Sequence, residues 1–241
     1  MLMYFSLFLY YLIICCNVTS IYGYIHNVRS LEPYIKNDQI KNYSSNIKQK
    51  RKGSLYLLKN EKDEIKIVKY PDPILRRRSE EVTNFDDNLK RVVRKMFDIM
   101  YESKGIGLSA PQVNISKRII VWNALYEKRK EENERIFINP SIVEQSLVKL
   151  KLIEGCLSFP GIEGKVERPS IVSISYYDIN GYKHLKILKG IHSRIFQHEF
   201  DHLNGTLFID KMTQVDKKKV RPKLNELIRD YKATHSEEPA L

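Results

Sequence analysis

Only three cysteines occur in 241 residues, and two of them, Cys15 and Cys16, are neighbours inside an apolar run. Such a set cannot build a disulfide framework, so an ordinary hydrophobic core has to hold the chain together. Glycine and proline are scarce too, at ten and nine residues, which excludes collagen-like and low-complexity architectures. Residues 1–22 contain no charged side chain, and the first 60 residues hold only two acids, Glu32 and Asp38. Beyond that opening run, no apolar stretch approaches the roughly 20 residues needed to cross a bilayer, which excludes a multi-span membrane protein.

What is present fits one soluble domain behind an extension. Hydrophobic residues make up 42% and charged residues 29% of the chain, ordinary values for a globular protein long enough to bury its own core. The net charge is +12, a value that raises the question of a nucleic-acid partner. Half of that excess sits in residues 1–60, where eight Lys and Arg face two acids. A basic leader ahead of a mildly basic surface explains this distribution better than a nucleic-acid face does. Residues 1–22 read as a signal-peptide core or signal anchor, and residues 23–60, rich in Asn, Lys, Ser and Tyr without sustained period, read as a transit peptide. The expected organisation is therefore a removable leader over 1–60 and a catalytic domain over 61–241. An N-terminal membrane anchor with a disordered stalk is the competing interpretation.

Ordered structure is expected from about Ile65. Leu89, Val92, Val93, Met96, Phe97 and Met100 recur at three- and four-residue intervals, which predicts an amphipathic helix from Asp86 that ends at Lys104 and Gly105. Arg118–Asn123 reads as a buried strand, and Glu127–Arg135 as a solvated loop. Ile171–Ile179 and Tyr182–Leu188 alternate around Asn180-Gly181, a tight-hairpin signal. A second helix is expected from Gly190 through His202, stopped by Asn204-Gly205, and a last basic one within Val215–Lys232, after Pro222. Strands that precede one central helix, without βαβ alternation, indicate an α+β fold.

His198-Glu199-Phe200-Asp201-His202 is the pattern that carries chemistry. Histidines four residues apart on a helix stack on one face and can share a divalent cation, while the intervening Glu199 reaches the same pocket as a proton acceptor. A hydrolytic site wants a third protein ligand and an open position. Position 208, where some metalloproteases place a third histidine, is Phe208. Two candidates remain: Glu226 downstream, which would make the chain a zinc peptidase, and upstream Cys156, in the turn-prone stretch Glu154-Gly155-Cys156-Leu157-Ser158 at the end of an expected apolar strand.

Three segments, Gly105-Ile106-Gly107-Leu108-Ser109-Ala110-Pro111-Gln112, Glu154 to Ser158, and Gln197 to Gly205, together resemble the three signature motifs of the peptide deformylases. Val68 to Leu75 is similar to that family's first strand, so the resemblance covers about residues 65–212. It implies antiparallel sheets packed around a central metal-binding helix, with further helices toward each end. It also implies Cys156, His198 and His202 as metal ligands, with Glu199 as general acid and base. The Gln112 side chain and the Leu157 N–H would hold the oxygen of the tetrahedral intermediate.

The metal implied is one divalent ion, Fe²⁺ in the cell, with Zn²⁺, Ni²⁺ or Co²⁺ able to replace it. The substrate implied is the N-formylmethionyl end of nascent peptides. Ile106, Gly107, Gly155, Ile191 and Ile195 are the expected substrate contacts, with Gly107 letting the substrate backbone come close. Arg194 departs from the apolar character usual one turn before His198, Ser109 stands where alanine is usual, and Glu154 and Arg168 are a candidate ion pair. The leader resembles the two-part leaders that carry proteins through the secretory route into a complex plastid such as the apicomplexan relict plastid; a mitochondrial address is the alternative. The mature form is then expected without stable membrane association, and the basic run Lys217–Lys223 is a candidate for transient ribosome contact or, in a non-catalytic reading, RNA binding.

Overall fold

Asp86 opens the first α-helix of the described residues by accepting the Leu89 N–H, and α1 (Asp87–Glu102) then buries Leu89, Val92, Val93, Met96, Phe97 and Met100 along one stripe. The computed structural model describes residues 65–125 and 130–241. Lys104, at φ 56°, ends α1 in the left-handed conformation, and the Gly105 N–H bonds back to the Met100 carbonyl at 2.8 Å.

Seven strands follow among the described residues: β1 (Gly107–Ser109), β2 (Ile119–Trp122), β3 (Arg135–Gln145), β4 (Lys149–Cys156), β5 (Phe159–Pro169), β6 (Ile171–Tyr177) and β7 (Lys183–Lys189). Five form an antiparallel sheet in the order β1-β2-β3-β6-β7, and β4 pairs with β5 in a separate two-stranded sheet. Helix α2 (Gly190–Leu203) packs against strands of both sheets. Its Ile195, Phe196 and Leu203 close over Ile120, Trp122, Phe137, Val172, Ile174 and Leu188 of the larger sheet. A second core joins Tyr70, Leu75, Phe159, Val166, Phe208 and Met212, with Leu224, Leu227 and Ile228 of α3 (Gln214–Thr234) packed on it. This is the expected α+β arrangement. Ten of the fourteen residues of α2 are buried, so the polar side chains among them face protein rather than water, and each needs a partner or a ligand.

The C-terminal end of α2 is held by Arg118, whose guanidinium donates to the Leu203 carbonyl, the Asn204 side chain and the Pro140 carbonyl. Gly205 follows at φ 70°, where a Cβ would overlap the Arg76 carbonyl oxygen; only glycine fits there.

Four local expectations need correction. The β6–β7 connection spans Asp178–Tyr182 and is organised by the Asp178 carboxylate, which accepts from the Asn180 and Tyr182 N–H groups. It is longer than the two-residue turn that Asn180-Gly181 suggests. Helix α3 begins at Gln214, eight residues before Pro222, because Thr213 caps it by accepting the Asp216 N–H. The exposed proline gives up one hydrogen bond without ending the helix. β4 ends at Cys156 as expected, but its apolar residues Leu150, Leu152 and Ile153 are exposed. Of the predicted Glu127–Arg135 loop, Glu131–Asn133 form a 3-10 turn and Arg135 opens β3, while residues 127–129 lie outside the described residues. The proposed leader over 1–60 lies outside them as well. No described helix is long and apolar enough to cross a membrane.

Candidate metal centre

Cys156 reaches the site through a break in pairing. β4 and β5 run in register from Lys149↔Pro169 to Gly155↔Glu163, and then Cys156 pairs with Phe159. The three residues 160–162 are looped out, and the Cys156–Ser158 turn is presented toward α2. There the ligand atoms of Cys156, His198 and His202 all lie within 4.8 Å of one another. His202 Nε2 is 3.3 Å from Cys156 Sγ. Two donors on one tetrahedral ion, at metal–sulfur and metal–nitrogen lengths of about 2.3 and 2.1 Å, stand roughly 3.6 Å apart. Glu226, the rival third ligand, is exposed on α3 and stands outside this group.

The His198 ring is aimed by its outer nitrogen, whereas His202 Nδ1 is buried without a partner among the described residues. His198 Nδ1 lies 2.9 Å from Glu154 Oε2, leaving its Nε2 for a ligand. Glu154 also accepts Arg168 Nε at 2.6 Å, Arg168 Nη2 at 2.8 Å and Arg194 Nη1 at 2.7 Å. Arg168 continues to Asp201 at 2.6 Å, and Asp201 to Lys211 at 2.6 Å. Burial alone would raise the Glu154 carboxyl, but the bonds from Arg168 and His198 hold it far below the usual carboxylate range.

The same group of charges acts on the imidazoles. Burial opposes a charge on His198, but Cys156 and Glu154 outweigh it and push the ring up to about 10. The pocket therefore favours positive charge at that point. His202 goes the other way, well below its ordinary value, through burial and the repulsion of His198 and Arg168.

Glu199 faces the same space. Burial pushes its carboxyl up to about 7, against the pull of His198 and of a Ser109 hydrogen bond. Its Oε2 is buried and has no partner among the described residues. A carboxyl poised near neutrality with a free oxygen suits a group that takes and returns a proton. Together, the three converging donors, the oriented imidazole and the unpartnered carboxylate oxygen fit one divalent ion with an open position.

Gln112 lies in the 3-10 turn Ala110–Val113 that follows β1. Its Oε1 accepts the Ser109 N–H at 2.9 Å and the Ser109 hydroxyl at 2.8 Å. That turns Nε2 toward Cys156 Sγ and Ser158 Oγ, each 3.4 Å away. Ser109, which stands where alanine is usual, thus orients the amide.

One pocket of about 570 Å³ contains Gln112, Gly155, Cys156, Leu157, His198 and Glu199, with Ile106, Gly107, Ile191 and Ile195 also on its wall. Every residue expected in the site lines it except His202, which is 1% exposed. Gly107 also meets a requirement of the fold itself. A Cβ there would come within 2.8 Å of Glu199 Oε1 and 2.9 Å of Ile195 Cγ2, so the glycine makes room for the carboxylate. Gly107→Ala is expected to displace Glu199 and lower kcat about 10- to 100-fold with metal content unchanged, measured by steady-state kinetics beside elemental analysis.

Arg194, which departs from the apolar character usual one turn before His198, also lines the pocket. Its guanidinium donates to Glu154 and to the Val166 and Leu150 carbonyls.

The family profile of polypeptide deformylase matches residues 65–218. The chain is 48% identical over 167 residues to chloroplastic peptide deformylase 1B of Solanum lycopersicum, an alignment that covers 69% of this chain and 60% of that protein. It thus spans about three fifths of the length of this plant relative. A peptide deformylase of Finegoldia magna is 43% identical over 155 residues, with 64% of this chain and 93% of the bacterial protein covered. A crystal structure of peptide deformylase from Plasmodium falciparum superposes with a TM-score of 0.69 at 99% identity, over 72% of this chain and all of that one.

Proposed function

The chain belongs to the peptide deformylase family, and from that premise we propose that it is a metal-dependent hydrolase that removes the formyl group from the N-terminal methionine of nascent polypeptides, releasing formate. The observation that carries the proposal is the convergence of Cys156, His198 and His202 beside a buried Glu199 with a carboxyl at about 7. These three residues would hold a divalent cation, with Fe²⁺ proposed in the cell and Zn²⁺, Ni²⁺ or Co²⁺ as substitutes. When bound, such an ion supplies Lewis acidity, which acidifies water and polarises a carbonyl.

The chain's own residues do the rest. Glu199 accepts the proton of the water that attacks the formyl carbon and returns it to the departing amine, a double use that a carboxyl near neutrality permits. Gln112 Nε2 and the Leu157 N–H donate to the formyl oxygen as it gains charge. Ile106, Gly155 and Ile195 belong to the surface that receives the first residues of the peptide, whose apolar methionine side chain suits the isoleucines. Gln112→Ala is expected to lower kcat about 10²- to 10³-fold while leaving one metal per chain, read by kinetics and elemental analysis.

The substrate class is tested by anaerobic incubation of the protein lacking residues 1–60 with a formyl-methionyl peptide and its acetyl counterpart. Formate release from the first and essentially no turnover of the second is the expected result. Equal turnover of both, or cleavage of an internal peptide bond, would contradict it.

We further propose that residues 1–60 carry a two-part leader addressing the protein to a plastid through the secretory route, ahead of a catalytic domain over 61–241. The plastid address is supported by the chloroplastic name of the plant relative and by the uncharged run of residues 1–22. The basic stretch of α3 is proposed as a transient ribosome contact. Of its cations, Lys217 and Lys223 bond the carbonyls of Asp210 and Gly161, while Lys218, Lys219 and Arg221 are exposed. Binding through them would weaken steeply with salt.

A further inference from the structure

The segment Val68–Tyr70 contributes no ligand and no proposed donor, yet it bonds to both elements that do. The Val68 N–H donates to the Gln112 carbonyl at 2.8 Å, Lys69 Nζ to the Leu157 carbonyl at 2.7 Å, and the Tyr70 N–H to the Ser158 carbonyl at 2.9 Å. The Gln112 side chain meets the cysteine turn only through two 3.4 Å contacts, to Cys156 Sγ and Ser158 Oγ. The bond to Ser158 Oγ is long and the sulfur is a weak acceptor, so these contacts hold the separation only loosely. A strap bonded to both elements at 2.7–2.9 Å does fix it. Tyr70 secures the strap, since its ring is buried and stacks on Phe159 at 4.8 Å between centroids.

Two of the three strap bonds use backbone N–H groups, which any residue but proline supplies. The third belongs to the Lys69 side chain. It ends on the carbonyl of Leu157, whose own N–H is the proposed donor to the substrate oxygen. The two groups lie on peptide planes joined at the Leu157 Cα, so holding one plane restricts the other to the φ and ψ of a single residue. An exposed lysine is ordinarily a solvated charge, but this ammonium makes a charge-assisted bond to a carbonyl at the edge of the pocket it helps to line.

We propose that Lys69 is a positioning residue for hydrolysis: it holds the Leu157 peptide, and with it the spacing between the Leu157 N–H and the Gln112 amide, where the formyl oxygen gains charge. The proposal rests on the deformylase reading of the site. It does not make Lys69 a contact of substrate or metal.

The test compares Lys69→Met, which keeps the stem and loses the donor, with Lys69→Arg, which keeps a donor. Each is assayed with a formyl-methionyl peptide, alone and in a Gln112→Ala background, and amide hydrogen exchange of residues 156–158 is followed in the same proteins. Lys69→Met is expected to lower kcat about tenfold with KM within about twofold, one metal per chain retained and exchange at 156–158 accelerated, because small displacements of positioned groups cost rate steeply. Lys69→Arg is expected to recover most of that loss. In the Gln112→Ala background the loss is expected to shrink below about threefold, as it does when two groups act through one structure.

An unchanged kcat, or a raised KM at unchanged kcat marking a direct substrate contact, would overturn the proposal. So would a tenfold loss that persists undiminished without Gln112. Failure of the unaltered protein to release formate would instead sink the deformylase reading itself.

Discussion

Glu199→Gln is expected to lower kcat by about 10²- to 10⁴-fold, the range that a positioned general base contributes, without loss of metal. The amide keeps the shape of the carboxylate but cannot take a proton, so substrate affinity is expected to change little. The same substitution has a second signature in the metal-free protein. The folded carboxyl sits at about 7, above the ordinary carboxylate value of about 4.3. A group raised in this way binds its proton more tightly folded than unfolded, so it costs stability increasingly as pH rises from about 4.5 through 7. The cost reaches the order of 3 kcal/mol once both states are ionised. Glu199→Gln removes that burden. Thermal melts are expected to show the variant more stable than the unaltered protein at pH 8, with the gap closing below about pH 4.5. A variant equally active, or a stability gap independent of pH, would contradict the assignment.

The other large effect is expected at Glu154, which touches no substrate. Its carboxylate accepts four donors, from Arg168, Arg194 and His198, and is nearly buried. Removing one partner of such a buried cluster leaves uncompensated charge and costs about 3–5 kcal/mol. Glu154→Gln faces Arg168 and Arg194 with a neutral group and turns an amide N–H against one of the donors. A fall of the melting temperature of roughly 10 °C is expected for a domain of this size. Metal affinity is expected to drop 10- to 100-fold, because His198 loses the group that orients it.

The pH dependence runs opposite to that of Glu199. A depressed carboxyl contributes stability that is present above its unfolded value and is lost as pH falls. The unaltered protein is therefore expected to lose stability progressively below about pH 4.5, and Glu154→Gln to lack that component. Retention of full stability and metal affinity by the variant would show the cluster to be ornamental.

The contrast between these two glutamates marks how much was legible in the sequence. Glu199 was legible because it stands between histidines at helical spacing, and helix periodicity is a local property. The stripe of α1, the limits of α2 and the strand at Ile119–Trp122 were legible for the same reason. Glu154 was foreseen only as one half of a pair with Arg168. Its bonds to Arg194 and His198 join residues 40 and 44 positions apart, and nothing in the local pattern announces them.

Cys156 stands between the two cases. Residue types alone left it level with Glu226; the resemblance favoured it, and the register break at Gly155/Cys156 shows how a strand end brings the thiol to α2. Two misreadings had signals available. Thr213 and Asp216 form a cap three residues apart that marks the start of α3 better than Pro222 marks a limit. Asp178 marks a turn longer than Asn180-Gly181 alone suggests. Gly107 had no such signal, since its work depends on Glu199 and Ile195 arriving from another element, whereas Ser109 and Gln112 stand three residues apart at a capping spacing visible in the sequence.

X-ray absorption spectroscopy of the metal-loaded protein addresses the centre directly. One sulfur at about 2.3 Å and two imidazole nitrogens at about 2.0–2.1 Å are expected around a single ion, with the sulfur lost in Cys156→Ala. A shell of nitrogen and oxygen alone, unchanged when Cys156 is removed, would contradict the thiolate-and-two-histidine site and the hydrolysis built on it.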